Sequence, residues 1–227
     1  MRRHVDVCRQ VKQCRQAPGG SAHVARGFLA FLAVALFVAP SAARSQGGTV
    51  ATERIFEALG LASGLTACEI GAGNGELSLA AARLVGPEGR VYTSELGDER
   101  VKGLQDRVAA GALPQVTVVA GDPVKTNFPE AACDALFMRN VYHHFADPAA
   151  MNASMAASLK PGGRLAIVDF TPPVEEATRP ADRSRDGMHG ISADSVSREL
   201  AAAGFEPVAT EAGTGRWFMV VVRRPGV

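Results

Sequence analysis

The stretch Thr66-Ala67-Cys68-Glu69-Ile70-Gly71-Ala72-Gly73-Asn74-Gly75-Glu76 decides how the rest of the 227-residue chain is read. A short apolar run ends in an acid, three glycines follow at alternate positions, and Leu77, Leu79, Ala80, Ala81, Ala82 and Leu84 then start a helical pattern. The order this predicts is strand, tight turn, helix. Glycines in such a turn let the backbone reverse sharply and let a ligand approach without meeting a Cβ. Amides that open the helix can donate to an anionic group.

Spacing narrows the choice of ligand. Dinucleotide loops follow G-x-G-x-x-G, the third glycine permitting close packing beside a pyrophosphate. Here Gly71 and Gly73 are followed by Gly75, and Glu76 stands where that third glycine belongs, which weakens the dinucleotide reading.

Outward from this turn the chain alternates strands and helices. Thr52 to Leu59 forms a short amphipathic helix ahead of it. Arg90 to Glu95 reads as a second strand ending in an acid, and Glu95 lies 20 residues beyond Gly75. That is close to the distance at which a doubly wound fold places a carboxylate on ribose hydroxyls. Asp98 is the better helix cap, leaving Glu95 for a ligand. Val116 to Ala120 is a third strand, followed by Gly121-Asp122-Pro123. A fourth, Asp134 to Met138, runs into Arg139-Asn140-Val141-Tyr142-His143-His144-Phe145. Ligands bind at the carboxyl ends of strands in an open parallel sheet, so this polar and aromatic cluster falls at the mouth of the expected site. Asp147-Pro148 caps the next helix, which ends at Leu159 before Lys160-Pro161-Gly162-Gly163. Arg164 to Phe170 has the near-continuous apolar middle of a strand covered on both faces. A long loop from Thr171 to Gly190, a helix capped by Ser192 and a terminal hairpin complete the pattern.

Three motifs, in order and in register, resemble those of class I S-adenosylmethionine (SAM)-dependent methyltransferases. They are Glu69-Ile70-Gly71-Ala72-Gly73-Asn74-Gly75, Arg139-Asn140-Val141-Tyr142-His143-His144-Phe145 and Leu159-Lys160-Pro161-Gly162-Gly163-Arg164-Leu165. The resemblance covers about residues 50 to 227. It implies an α/β, doubly wound, Rossmann-like seven-stranded sheet of order 3-2-1-4-5-7-6, with the last strand antiparallel and helices on both faces. It also implies SAM as cofactor, lying across the ends of strands one, two and four. On that reading Gly71, Ala72, Gly73 and Gly75 form the turn whose amides receive the methionine carboxylate. Glu95 holds the ribose, Asp122 meets the adenine, Arg139 and Asn140 close the far side, and Glu69 supplies negative potential near the cationic groups. A turn aspartate bonded to its own backbone is the alternative for Asp122.

The acceptor would be a small or lipid-like molecule. If it carries a proton of high pKa, a base is needed, and His143, His144 and Tyr142 are the candidates, with His189 in the loop a weaker one. The alternative has one histidine packing against the next helix and Tyr142 filling the pocket wall. Two further readings stay open: a non-catalytic SAM- or nucleoside-binding module of the same fold, and an NAD(P)-dependent oxidoreductase.

Composition bounds the remaining classes. Phe28 to Ala39 is uninterrupted apolar sequence behind Arg26 and ahead of Pro40-Ser41-Ala42-Ala43. Twelve helical residues rise about 18 Å, short of a hydrocarbon core of about 30 Å. This fits a secretory signal with cleavage near Ala43, so residues 1–43 are expected to be a leader and 44–227 the methyltransferase domain. Export to a bacterial periplasm follows, or membrane proximity if the leader is retained. Beyond residue 43 the chain has 18 Lys/Arg and 22 Asp/Glu, net −4, a poor match for nucleic acid. Its two cysteines, Cys68 and Cys133, fall in apolar strands and are expected to be core fillers rather than a bridge, and no metal-type Cys/His spacing is present.

Overall fold

The computed structural model describes residues 49–185 and 189–226. The expected leader therefore lies outside the described residues. Seven strands form one sheet of order β3-β2-β1-β4-β5-β7-β6. They are β1 (Thr66–Ile70), β2 (Arg90–Glu95), β3 (Val116–Ala120), β4 (Cys133–Arg139), β5 (Leu159–Phe170), β6 (Glu206–Ala212) and β7 (Trp217–Arg223). Neighbours from β3 through β5 pair in parallel, and β7 runs antiparallel to both β5 and β6. The sheet is the one expected from the motifs.

Alternation along the central strands divides their side chains between two cores. Leu136 and Met138 of β4 join Leu165 and Ile167 of β5 on one face, where Met151, Met155, Val196 and Leu200 cover them. Ala135 and Phe137, with Ala166 and Val168, point the other way, onto Ile55, Phe56, Ala81 and Val85. Helices α4 (Pro148–Ser158) and α5 (Ala193–Ala202) thus cover one face, and α1 (Thr52–Leu59) and α2 (Glu76–Val85) the other. The side chain of Asp147 accepts from the Ala150 amide and that of Ser192 from the Ser195 amide, as their positions ahead of helices require.

Three expectations change. Cys68 and Cys133 form a disulfide, with Cα atoms 5.9 Å apart. They sit on strands that the topology makes neighbours, and both are fully buried, so the pair ties β1 to β4 through the core. Asp98 is the first residue of helix α3 (Asp98–Ala110) and not its cap; Gly97 holds that place with no side-chain bond. Lys160 to Gly163 lies within β5, where the strand bulges against β4 and Gly162 takes φ +77°.

Candidate functional site

A cavity of about 700 Å³ opens at the carboxyl ends of β1, β2 and β4, inside the ~300–1,000 Å³ range of small-molecule sites. Its floor is the turn from Glu69 to Asn74, and Glu95 closes it on the β2 side. Arg139, Asn140, Val141 and His144 close it on the β4 side. Seven of the nine residues expected to hold a cofactor therefore meet in one place: Glu69, Gly71, Ala72, Gly73, Glu95, Arg139 and Asn140.

Steric closeness explains the glycines. A Cβ on Gly71 would stand 2.6 Å from a Val141 methyl, so the β1 turn can lie against the β4 turn only without one. Gly73, at φ +55°, has nothing within 4 Å of where a Cβ would point. Gly75 does not line the cavity. It stands at φ +78° just ahead of α2, where a Cβ would meet Leu104 of α3 at 2.7 Å, so its role is packing. Asn140 is left-handed without being glycine, at φ +63°, and its amide donates to Val168 O at 2.8 Å. Such a conformation costs of order 1–3 kcal/mol and collects at functional sites.

The turn does not present the expected row of free amides. Ala72 N–H donates to Ser94 O (2.9 Å), Gly75 N–H to Ala72 O (2.8 Å) and Gly73 N–H to Glu95 Oε2 (2.7 Å). Glu95 also accepts from its neighbour's amide, Leu96 N, at 2.9 Å, and Arg100 Nε lies 3.3 Å away. A carboxylate offers about four lone-pair positions, so these bonds leave room for hydroxyl donors. Asp122 does not line the cavity. Its Oδ1 accepts from Val124 N at 2.8 Å, a turn closed on its own backbone, and the wall at that point is Pro123.

The cleft sets three carboxyl groups, Glu69, Glu76 and Glu95, beside Arg100 and Arg139. Glu69 is 2% exposed and accepts a hydrogen bond from Ser78 Oγ, which lies 2.6 Å from Thr93 Oγ1. Burial pushes the Glu69 carboxyl up to about 7, with the Ser78 hydrogen bond and Arg139 pulling the other way. Arg139 Nη2 pairs with Glu76 Oε2 at 3.2 Å. The Ala72 and Gly73 amides, which a pyrophosphate loop would offer, are already engaged.

The three expected catalytic side chains separate. Tyr142 is fully buried, and its hydroxyl is bonded to Asn152 (2.9 Å from Nδ2) and Glu199 (3.1 Å). Burial and the Glu199 charge hold its phenol far above the ordinary range, so it is a structural residue and not a base. His143 is 1% exposed and does not line the cavity. Its Nδ1 lies 2.9 Å from Asp169 Oδ1, and its backbone amide donates to Asp169 Oδ2 at 3.1 Å. His144 alone of the three lines the cavity, its ring centroid 4.0 Å from that of His143. Partial burial, then the neighbouring His143, hold its imidazolium below the usual range, against a raising pull from Asp169. That favours the neutral ring, the form that accepts a proton. His189 is near, its centroid 6.0 Å from that of His144.

Residue types alone did not single out Asp169, Arg183 or Glu199. Asp169 is a fully buried acid at the end of an apolar strand, a pattern that does mark a polar partner nearby. Arg183, 4% exposed, bonds Glu199 at 2.5 and 3.2 Å and lies 3.6 Å from Glu176, fastening the long loop to α5. Among the described residues no group of three His, Cys, Asp or Glu is placed to hold a metal, and no helix is long and apolar enough to cross a membrane.

A seven-stranded sheet of this order, with a glycine turn, a carboxylate at the end of β2 and a polar β4 turn around one cavity, is a class I Rossmann-like architecture. Residues 68–167 match the methyltransferase domain family, and the sheet has the architecture that class I SAM-dependent methyltransferases share. The chain is 36% identical over 125 residues to the ubiquinone/menaquinone biosynthesis C-methyltransferase UbiE of Pseudomonas putida, a match covering 53% of this chain and 47% of that one. It spans about half the length of the curated relatives it matches. Among solved structures, a SAM-dependent methyltransferase from Aquifex aeolicus superposes with a TM-score of 0.66 at 23% identity, over 76% of this chain and 89% of that one. The [4+2]-cyclase SpnF superposes with a TM-score of 0.67 at 19% identity, over 78% and 80%. SAM is the cofactor of this class. The cavity's residues fit it: Gly73 leaves the floor open, Glu95 keeps acceptor capacity for hydroxyls, and Glu69 offers a carboxyl that a cationic group would meet.

Proposed function

We propose that this protein transfers a methyl group from SAM to a small or lipid-like acceptor by in-line displacement. One observation carries the reading: a single cavity is walled by the glycine turn and Glu95 on one side and by Asn140 and a neutral-leaning histidine, His144, on the other. Glu95 would grip the ribose, Glu69 would balance positive charge, and Asn140, fixed by its left-handed backbone, would hold the middle of the cofactor. Bound SAM supplies a methyl already activated on a positive sulfur, so most of what the protein must do is alignment, worth roughly 7–11 kcal/mol in well-oriented reactions. His144 would take the acceptor's proton. Asp169 and His143 keep the 3-10 turn Tyr142–His144 fixed beneath it.

A quinol-like acceptor is the natural first trial, because the UbiE relatives are named for C-methylation in quinone biosynthesis. The second reading, a binding module or a different reaction on the same scaffold, draws on the fold shared with the SpnF cyclase. Calorimetry with SAM, S-adenosylhomocysteine and NAD, followed by labelled-methyl transfer into a lipid and small-molecule extract, separates the readings. SAM binding without any labelled product would favour the second, and NAD binding in preference to SAM would remove the first. Glu95→Gln should weaken SAM about tenfold or more, the scale of a hydrogen bond to a charged group.

We also propose that the domain works outside the reducing cytoplasm. Two independent features support this: the apolar run 28–39 followed by Ser41-Ala42-Ala43 and the buried Cys68–Cys133 disulfide. Stable disulfides belong to oxidising compartments. Maleimide labelling of the denatured native protein before and after reduction tests it. Label found on Cys68 and Cys133, identified by peptide mass, without reduction would count against export.

A further inference from the structure

Beside the cofactor cavity, on the same edge of the sheet, a second recess of about 380 Å³ is lined by Phe170, Thr214, Gly215, Arg216 and Trp217. Nothing in the cofactor reading uses it. Phe170 ends β5 and Trp217 begins β7, and the two are directly paired in the antiparallel ladder. Their rings meet edge to face, centroids 5.1 Å apart at 69°. Perpendicular rings form a corner in which a third planar ring can lie against one face and meet the other edge-on.

The recess also holds a charge with no counter-charge. The Arg216 guanidinium carbon sits 5.2 Å from the Phe170 ring centroid, and its Nη1 donates to Thr171 O at 2.6 Å. Among the described residues Arg216 joins no carboxylate, whereas Arg183 is neutralised by Glu199 and Glu176. A guanidinium has five N–H donors, so most of Arg216's remain for an oxygen anion. A row of packed rings runs from the recess toward the cavity wall. Phe170's centroid is 5.1 Å from that of His143, which is 4.0 Å from that of His144 on the cavity wall.

Resting on the methyltransferase reading above, we propose that the corner of Phe170, Trp217 and Arg216 is the acceptor subsite. It takes an aromatic ring whose anionic oxygen substituent pairs with Arg216, while the reacting part of the molecule extends toward His144. Aromatic faces select the ring, the arginine selects the anion, and together they fix which end of the acceptor points at the methyl donor.

Trp217 is the only tryptophan in the chain, so its fluorescence reports on this recess directly. In the full chain, 3-hydroxybenzoate should quench Trp217 emission saturably, and cyclohexanecarboxylate should do so at least about tenfold less tightly. Arg216→Gln should weaken 3-hydroxybenzoate about tenfold, the loss of one charge-assisted contact, and Arg216→Lys should recover part of it. Calorimetric SAM affinity should stay within about twofold in both variants. SAM binding with no saturable quench, or quench indifferent to Arg216→Gln, overturns the subsite and leaves the cofactor reading standing. Saturable quench in a protein that binds no SAM overturns the methyltransferase reading, and the acceptor role with it.

Discussion

The carboxyl edge of the sheet divides into two halves built by different means. Around β1, β2 and β4 the site is made mostly of backbone: a left-handed glycine turn, a left-handed Asn140 and amides fastened to Ser94 and Glu95. Around β5 and β7 it is made of side chains that meet across long stretches of chain. Asp169 holds His143, and Phe170 meets Trp217. The first half is suited to one ligand whose shape does not vary. The second can change its acceptor by exchanging side chains without disturbing the turn, so selectivity and cofactor binding can vary separately.

The largest effect that would sharpen this contrast lies beneath the cofactor half. The disulfide closes a loop with a sequence separation of 65. On the chain-entropy account, a loop of that size is worth about 4 kcal/mol. Denaturant unfolding with and without reductant should show that loss, and Cys68→Ala should reproduce it. A change below about 1 kcal/mol would mean that packing alone joins β1 to β4.

Next in size is the difference between the two histidines. His144→Ala should lower turnover by about a hundredfold or more, the usual scale for a general base, with SAM affinity within about twofold. His143→Ala should instead lower the melting temperature, because it leaves the buried Asp169 without its ring partner. Equal losses of turnover at unchanged stability in both would erase the distinction between a proton acceptor and its support.

How much of this was legible in the sequence follows the same division. Backbone requirements leave local marks: Gly71 and Gly73 at alternate positions announced the turn, and Glu95 at a fixed distance announced the carboxylate beyond it. The sheet order followed because each motif fixes one strand end. Side-chain networks leave no such mark. Tyr142, His143 and His144 are adjacent in sequence and all able to carry a proton, and only the 3-10 turn sends the first two into the core and the third into the cavity. Asp122 resembled a ligand residue because its position was right, but the Val124 amide claims it. The disulfide was readable only by combining the strand order 3-2-1-4 with the place of each cysteine along its strand, since 65 residues separate the pair.

The smallest expected effect is a pH dependence. Glu69 is protonated below about 7 because burial disfavours its charge. A cationic cofactor needs the ionised form, so SAM affinity should rise between pH 5.5 and 7, by at most tenfold per unit, and level off above. Fold stability should move oppositely. This carboxyl is raised from 4.5 to about 7, so its contribution is full below the lower value and is lost as pH climbs through the higher one. Glu69→Gln should flatten both curves. Affinity that falls over this range would place the positive charge of the cofactor away from Glu69.

The bond between Cys68 and Cys133 has one more effect, on what happens when the chain is cut. Strands β2 and β3 and helices α2 and α3 all lie between the two sulfurs. A protease that nicks any exposed turn in that interval, such as the one after Ala110, would leave both pieces joined through the core. A nicked molecule would keep its cofactor-binding strands until something reduced it.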